Sequence, residues 1–290
     1  MTLALAALLT VQPAEARQSF DVLIRGGTVI DGSGAAPTRA DVGVLNGRIA
    51  AVGDLRDARA ATVLDATGRF VAPGFINLHS HAGVLSLQSA ENMLTQGVTT
   101  EVLNPDGGGP VDVAAQLERL AGEGLAVNVA ACVGFNSAWA RTVGAADRRP
   151  SAEEIAAISR ILVDNLERGA HCVSAGLDYA PARFATEQEV IDALRPTARF
   201  RTVFTNHERV VPETGFSGHA GVLETIRIAH AAGLTPLITH MKVQGREQGT
   251  ADSILSVMTR HTREARLVAA DAYPYLAGQT ALSALIIPGW

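Results

Sequence analysis

From residue 73 onward the chain alternates short apolar runs with longer amphipathic stretches. The runs are Phe75–His79, Thr99–Leu103, Ala126–Val133, Cys172–Leu177, Thr202–Thr205, Pro236–Thr239 and Leu267–Ala270. Nearly continuous apolar character marks strands buried on both faces. The segments between them, Val111–Ala121, Ala152–Arg168, Glu187–Leu194, Gly221–Ala232 and Ser253–Arg263, carry helical patterning. Ser151 followed three residues later by Glu154 is a capping-box signal for the second of these helices. Strands that alternate with helices pair in parallel, because each return must cross over the sheet. The expected fold is therefore α/β, a (β/α)8 TIM-like barrel in which seven strands can be counted. A closed barrel needs eight strands and typically about 250 residues. Residues 73–290 fall short of that and are expected to form an incomplete barrel domain.

Residues 17–72 read as a separate small β unit. Phe20–Arg25 and Gly27–Ile30 are strand-like and end in the turn signal Asp31-Gly32-Ser33-Gly34. Asp41–Leu45 and Arg48–Val52 flank Asn46-Gly47, a pair suited to the positive φ angles of a type I′ hairpin. Val63–Ala66 and Phe70–Val71 complete the unit. Residues 1–16 differ from both parts. Leu3–Val11 is almost wholly apolar, and Ala14-Glu15-Ala16 follows as a small-x-small site, the pattern of a secretory signal. The run is too short to span a bilayer. A periplasmic or secreted protein is expected, with no membrane span and a mature chain from Arg17.

A hydrophobic fraction of 47% allows a large core, and a net charge of −5 gives no electrostatic case for nucleic acid. Cys132 and Cys172 form no Cys-x-x-Cys knuckle and no disulfide framework. They lie on neighbouring predicted strands and are expected to pack as small apolar groups, a disulfide in an oxidising compartment being the alternative.

The strand ends carry the chemistry. The first barrel run leads into His79-Ser80-His81, and period two along a strand puts both imidazoles on one face. Asn104-Pro105-Asp106-Gly107 follows the second run, Asn206-His207-Glu208 the fifth, His240-Met241-Lys242 the sixth and Asp271-Ala272-Tyr273-Pro274-Tyr275 the seventh. All these ends meet on one face of a barrel, where active sites are built. Imidazoles converging there suit zinc. Asp106 reads equally as a ligand or as a turn residue before Gly107-Gly108-Gly109, and Glu101 within the second strand is a rival carboxylate. His171, His219, His230 and His261 fall elsewhere and read as structural or solvated.

Together these motifs resemble the amidohydrolase superfamily and, within it, the N-acyl-D-amino-acid deacylase (D-aminoacylase) family. The resemblance rests on Ala72-Pro73-Gly74-Phe75-Ile76 before the His79/His81 pair, Gly97-Val98-Thr99-Thr100 and Gly176-Leu177-Asp178-Tyr179-Ala180-Pro181. It continues through Thr205-Asn206-His207-Glu208-Arg209, Thr239-His240-Met241-Lys242 and Asp271–Tyr275. It implies one or two zinc ions held by His79, His81, His207 and His240, with Asp106 where the family usually has cysteine. It implies that Lys242 and Tyr273 hold the substrate carboxylate, and that the small β unit is half of a β-sandwich. The implied substrate is a small N-acyl-D-amino acid, whose amide bond is hydrolysed; the oligomeric state stays open. Phe135–Arg141 departs from the family's histidine-containing sequence, and Val210–His219 looks like an extra loop. The general-base aspartate and a following arginine are implied at and after strand eight, beyond Trp290. A C-terminally truncated, nearly inactive fragment is the resulting expectation. Hydrolysis of cyclic amides or dipeptides, or a degenerate non-catalytic metal- or ligand-binding role, are the alternatives.

Overall fold

The computed structural model describes residues 19–210, 215–243, 245–264 and 266–280. The expected export signal, residues 1–16, lies outside them, as do residues 211–214 of the expected extra loop. The chain divides into two compact units between Gly74 and Phe75.

The first unit is one five-stranded sheet of β1 (Ser19–Val29), β2 (Thr38–Leu45), β3 (Arg48–Gly53), β4 (Arg59–Asp65) and β5 (Phe70–Val71), ordered β3-β2-β1-β4 with β5 also on β1. The two strand-like runs expected over residues 20–30 are a single strand, because a bulge between Ile24 and Gly27 absorbs the glycines without breaking the ladder. Gly27 is required there: a Cβ would lie 2.5 Å from Val71 Cγ2. Asn46 (φ 51°) and Gly47 (φ 69°) make the two-residue turn joining β2 to β3, as the Asn-Gly signal predicts. Phe20, Leu23 and Ala58 are the unit's small core.

The second unit is a curled sheet of seven strands, each parallel to its neighbour: β6 (Phe75–Ser80), β7 (Val98–Leu103), β8 (Asn128–Gly134), β9 (Cys172–Gly176), β10 (Val203–His207), β11 (Thr235–Ile238) and β12 (Ala269–Ala270). Strand order follows chain order, the winding of a TIM-like barrel, with seven strands among the described residues. The connections carry α1 (Val84–Ser89), α2 (Glu91–Leu94), α3 (Val113–Ala121), α4 (Phe135–Thr142), α5 (Ala152–Glu167), α6 (Glu187–Leu194), α7 (Gly218–Ala232) and α8 (Ala251–Arg263). Leu162 and Ile158 of α5, Val190 of α6 and Ile228 of α7 pack with Val133 and Phe204 into one buried core. No helix among the described residues is long and apolar enough to cross a membrane.

Helix α4 is absent from the sequence pattern. It has no side-chain N-cap and begins directly after β8 at Gly134. Its core face is Phe135, Ala138 and Trp139, all fully buried, a spacing of three and four that one turn supplies. A second difference concerns the cysteines. Cys132 and Cys172 are register partners on β8 and β9, their Cα atoms 4.4 Å apart, and they form a disulfide instead of packing as free thiols.

Helix α5 carries the predicted capping box. Ser151 Oγ accepts from Glu154 N–H, and Glu154 accepts from Ser151 N–H. Arg148 donates to the same carboxylate. Ser151→Ala is expected to lower stability by about 1 kcal/mol, read by chemical denaturation. The side-chain bond from Arg148, then the Ser151 N–H, holds the Glu154 carboxyl down to about 2. A depressed folded pKa contributes stability above the ordinary carboxyl range that is lost as pH falls towards 2. Glu154→Gln is expected to remove that part of the acid sensitivity, visible as a flatter stability curve between about pH 4.5 and pH 2.

Candidate metal centre

Because all seven strands run the same way, their carboxyl ends lie along one edge. His79 comes from β6 and His81 from just beyond it, His207 is the last residue of β10, and His240 follows β11. The expected pairing of His79 with His81 is present, with Nε2 atoms 3.2 Å apart. His207 Nδ1 and His240 Nε2 are 2.8 Å apart. Asp106 lies between the two pairs. Its Oδ2 is 3.4 Å from His79 Nε2 and 3.2 Å from His81 Nε2. Its Oδ1 is 3.6 Å from His207 Nδ1 and 3.8 Å from His240 Nε2. His81 is the rim member at 66% side-chain exposure, against 11–16% for the others.

The loop carrying Asp106 is sharply turned and pinned. Asn104 (φ 61°) and Asp106 (φ 57°) both occupy the left-handed region, which Asn and Asp tolerate better than other L residues. Ser174 Oγ, on β9, accepts from Gly107 N–H and donates to Asn104 O. Ser137, on α4, donates its N–H to Gly107 O and its Oγ–H to Gly109 O. Asn136 closes the neighbouring gap, its Nδ2 donating to Gly176 O and its Oδ1 accepting from Gly176 N–H. The segment that departs from the family pattern thus supports the carboxylate loop. Glu101, the rival carboxylate, is spent elsewhere: it accepts from Asn77 Nδ2, and Asn77 Oδ1 in turn accepts from His79 N–H.

Electrostatics favour a cation. Burial opposes ionisation of Asp106, yet the imidazoles of His207, His79 and His81 beside it outweigh burial and hold the carboxyl well below its ordinary range. Burial, with His207 and Lys242 nearby, pushes His240 down to about 3, so it is neutral and able to coordinate. The hydrogen bond to Asp106 pushes His81 up against the effect of burial. Asp106 Oδ1, His79 Nδ1, Glu208 Oε2 and Asp271 Oδ2 are buried without a hydrogen-bond partner. Unpaired buried polar atoms crowded at one point are costly unless a further group completes them. His79, Asp106 and His240 offer ligand atoms within 4.8 Å of one another.

Lys242 Nζ lies 3.1 Å from His240 Nδ1 and 5.5 Å over the Tyr273 ring, so both expected carboxylate-holding residues stand beside the cluster. Two contributors lack a distinctive spacing in the sequence. Tyr179 Oη is 3.2 Å from His207 Nδ1, and burial pushes its phenol up. Asp271 Oδ1 accepts from His240 N–H at 2.6 Å and fixes the turn after β11. Their signals in the sequence are position at a strand end and membership of the Gly176–Pro181 and Asp271–Tyr275 motifs. A cavity of about 480 Å³ opens against Asp106 and His81, lined also by Asn104, Tyr179 and Thr280.

Comparison with known proteins agrees with this geometry. No protein-family model matches the chain. The D-aminoacylase of Alcaligenes xylosoxydans xylosoxydans is 35% identical over a 297-residue alignment covering 91% of this chain and 59% of that protein. A D-aminoacylase structure, solved in a study of its binuclear metal centre, superposes with TM-score 0.77 at 33% identity, covering 89% of this chain and 59% of that one. The N-acyl-D-glutamate deacylase of Bordetella bronchiseptica, solved with zinc and a phosphonate mimic of the tetrahedral intermediate, gives TM-score 0.77 at 31% identity and the same coverage. The parallel winding of the sheet is shared with these D-aminoacylase and N-acyl-D-glutamate deacylase structures. The chain is a homologue of the D-aminoacylases and N-acyl-D-glutamate deacylases. It spans about three-fifths of the length of the relatives it matches.

The pinned loop yields a test. Gly107 has φ 76°, and a Cβ there would lie 2.0 Å from Asn136 Oδ1. Gly107→Ala is expected to cost about 1–3 kcal/mol in thermal unfolding and to weaken metal uptake in a zinc titration. Unchanged values on both would show that the loop is not held as described.

Proposed function

We propose that His79, His81, Asp106, His207 and His240 hold one or two zinc ions, and that the site hydrolyses the amide bond of N-acyl-D-amino acids. The observation that carries this reading is the Asp106 carboxylate, with one oxygen facing His79 and His81 and the other facing His207 and His240. Imidazoles with an ionised carboxylate are a donor set suited to zinc. The partnerless Asp106 Oδ1 is where a cation fits. Bound zinc would polarise the scissile carbonyl and acidify a water.

The remaining residues bind and orient. Lys242 supplies a positive charge for the substrate's α-carboxylate, with Tyr273 beside it. A carboxylate anchored there offers the amide of one enantiomer to the histidine cluster. The cavity is of a size suited to a small N-acyl amino acid. The likeness to D-aminoacylase and N-acyl-D-glutamate deacylase supports both the reaction and the D preference.

Two finer readings accompany this one. The 290 residues produced by themselves are expected to turn over slowly, since the resemblance implies a general base beyond Trp290 and such a group contributes about 10²–10⁴-fold. Residues 1–16 are read as an export signal to a periplasmic or extracellular space, and the Cys132–Cys172 bond suits an oxidising compartment.

Metal analysis with an N-acetyl-D- and L-amino-acid panel tests the proposal. One or two zinc ions per chain are expected, with hydrolysis confined to D substrates and abolished by a chelator. Asp106→Ala is expected to weaken zinc binding by more than about 100-fold. A chain that retains no metal at stoichiometric zinc, or that prefers L substrates, contradicts the reading.

A further inference from the structure

The His240 ring presents a nitrogen to each side of the cluster. Nε2 faces inward, 2.8 Å from His207 Nδ1 and 3.8 Å from Asp106 Oδ1. Nδ1 faces outward, with Lys242 Nζ at 3.1 Å and Glu208 Oε2 at 4.0 Å. An imidazole that gives one nitrogen to a metal carries its hydrogen on the other, and that N–H needs an acceptor to fix the ring. The ammonium of Lys242 has donors only. Glu208 is the carboxylate on that side.

Three observations single it out. Glu208 is only 5% exposed, and its Oε2 has no hydrogen-bond partner. A carboxylate oxygen buried without a partner is costly, so a second arrangement that supplies one is favoured. The residue also sits on fixed backbone. Gly221 of α7 packs so closely that a Cβ there would lie 3.0 Å from Glu208 Cβ and 2.5 Å from Arg209 O. The Arg209 guanidinium bonds Glu224 and the carbonyls of Arg183 and Ala185. Side-chain rotation of about 1 Å closes the gap from Oε2 to Nδ1 to hydrogen-bond length, with no backbone movement.

We propose that Glu208 is the positioning residue of His240: it accepts the Nδ1 hydrogen and thereby aims Nε2 at the metal site. This rests on the metal-centre reading above. The same hydrogen bond takes Nδ1 away from Lys242. The ammonium then keeps His240 O, at 3.2 Å, and its place over the Tyr273 ring. Metal loading and release of the lysine towards an anionic substrate are in this way one event.

Zinc titration calorimetry on the 290-residue chain tests it. Glu208→Ala is expected to weaken zinc binding by about 10–100-fold. Glu208→Met, which fills similar volume without an acceptor, reproduces the loss. Glu208→Gln, whose amide oxygen still accepts, restores most of the affinity. In a His240→Ala background, Glu208→Ala causes no further loss. Parental affinity in Glu208→Ala or Glu208→Met, or an equal loss with and without His240, overturns the proposal while leaving the metal centre intact. A parent chain that binds no zinc removes the metal centre and this role together.

Discussion

One carboxylate organises the candidate site. Asp106 is enclosed by four imidazoles, two facing each oxygen, and it stays ionised because His207, His79 and His81 outweigh its burial. Without an anion at that point, His207 and His240 would stand 2.8 Å apart with nothing between the pairs to balance a bound cation. The arrangement uses only the parallel sheet, which delivers the C-terminal ends of β6, β7, β10 and β11 to one edge, and a loop bent to bring its aspartate inward. The bend occupies left-handed backbone at Asn104 and Asp106. Ser174, Ser137 and Asn104 side chains hold it through hydrogen bonds to the loop backbone or to Cys132 O.

Much of the fold was legible because its signals are local. The seven apolar runs became the seven strands of the second unit, and the five predicted helices of the barrel are all present. The Ser151/Glu154 capping box and the Asn46-Gly47 turn are two-residue signals with mechanisms, and both hold. Helix α4 was not legible, since it has no side-chain cap and its identity depends on burying Trp139 and Phe135 against the rest of the core. The disulfide was legible only as an alternative to free thiols. Neighbouring strands could be inferred, but which residues face each other depends on register, and here Cys132 meets Cys172.

The site divides in the same way. His79 and His81 follow from period two, and His207 and His240 from their place at strand exits. Asp106 against Glu101 could not be decided locally. The choice is made by Ser174, 67 residues away in sequence from Gly107, and by Asn77, which takes up Glu101. Tyr179, Glu208 and Asp271 touch the cluster through side chains whose direction no spacing rule supplies.

On the proposed reading, with Asp106 where the resemblance implies a cysteine, the ligand shell is of nitrogen and oxygen alone, and the chain's two cysteines are joined to each other. X-ray absorption at the zinc edge of the metal-loaded chain measures this directly. The account predicts a first shell of nitrogen and oxygen at about 2.0–2.2 Å with multiple-scattering features from several imidazoles. A sulfur scatterer at about 2.3 Å, or a shell without imidazole, would contradict it.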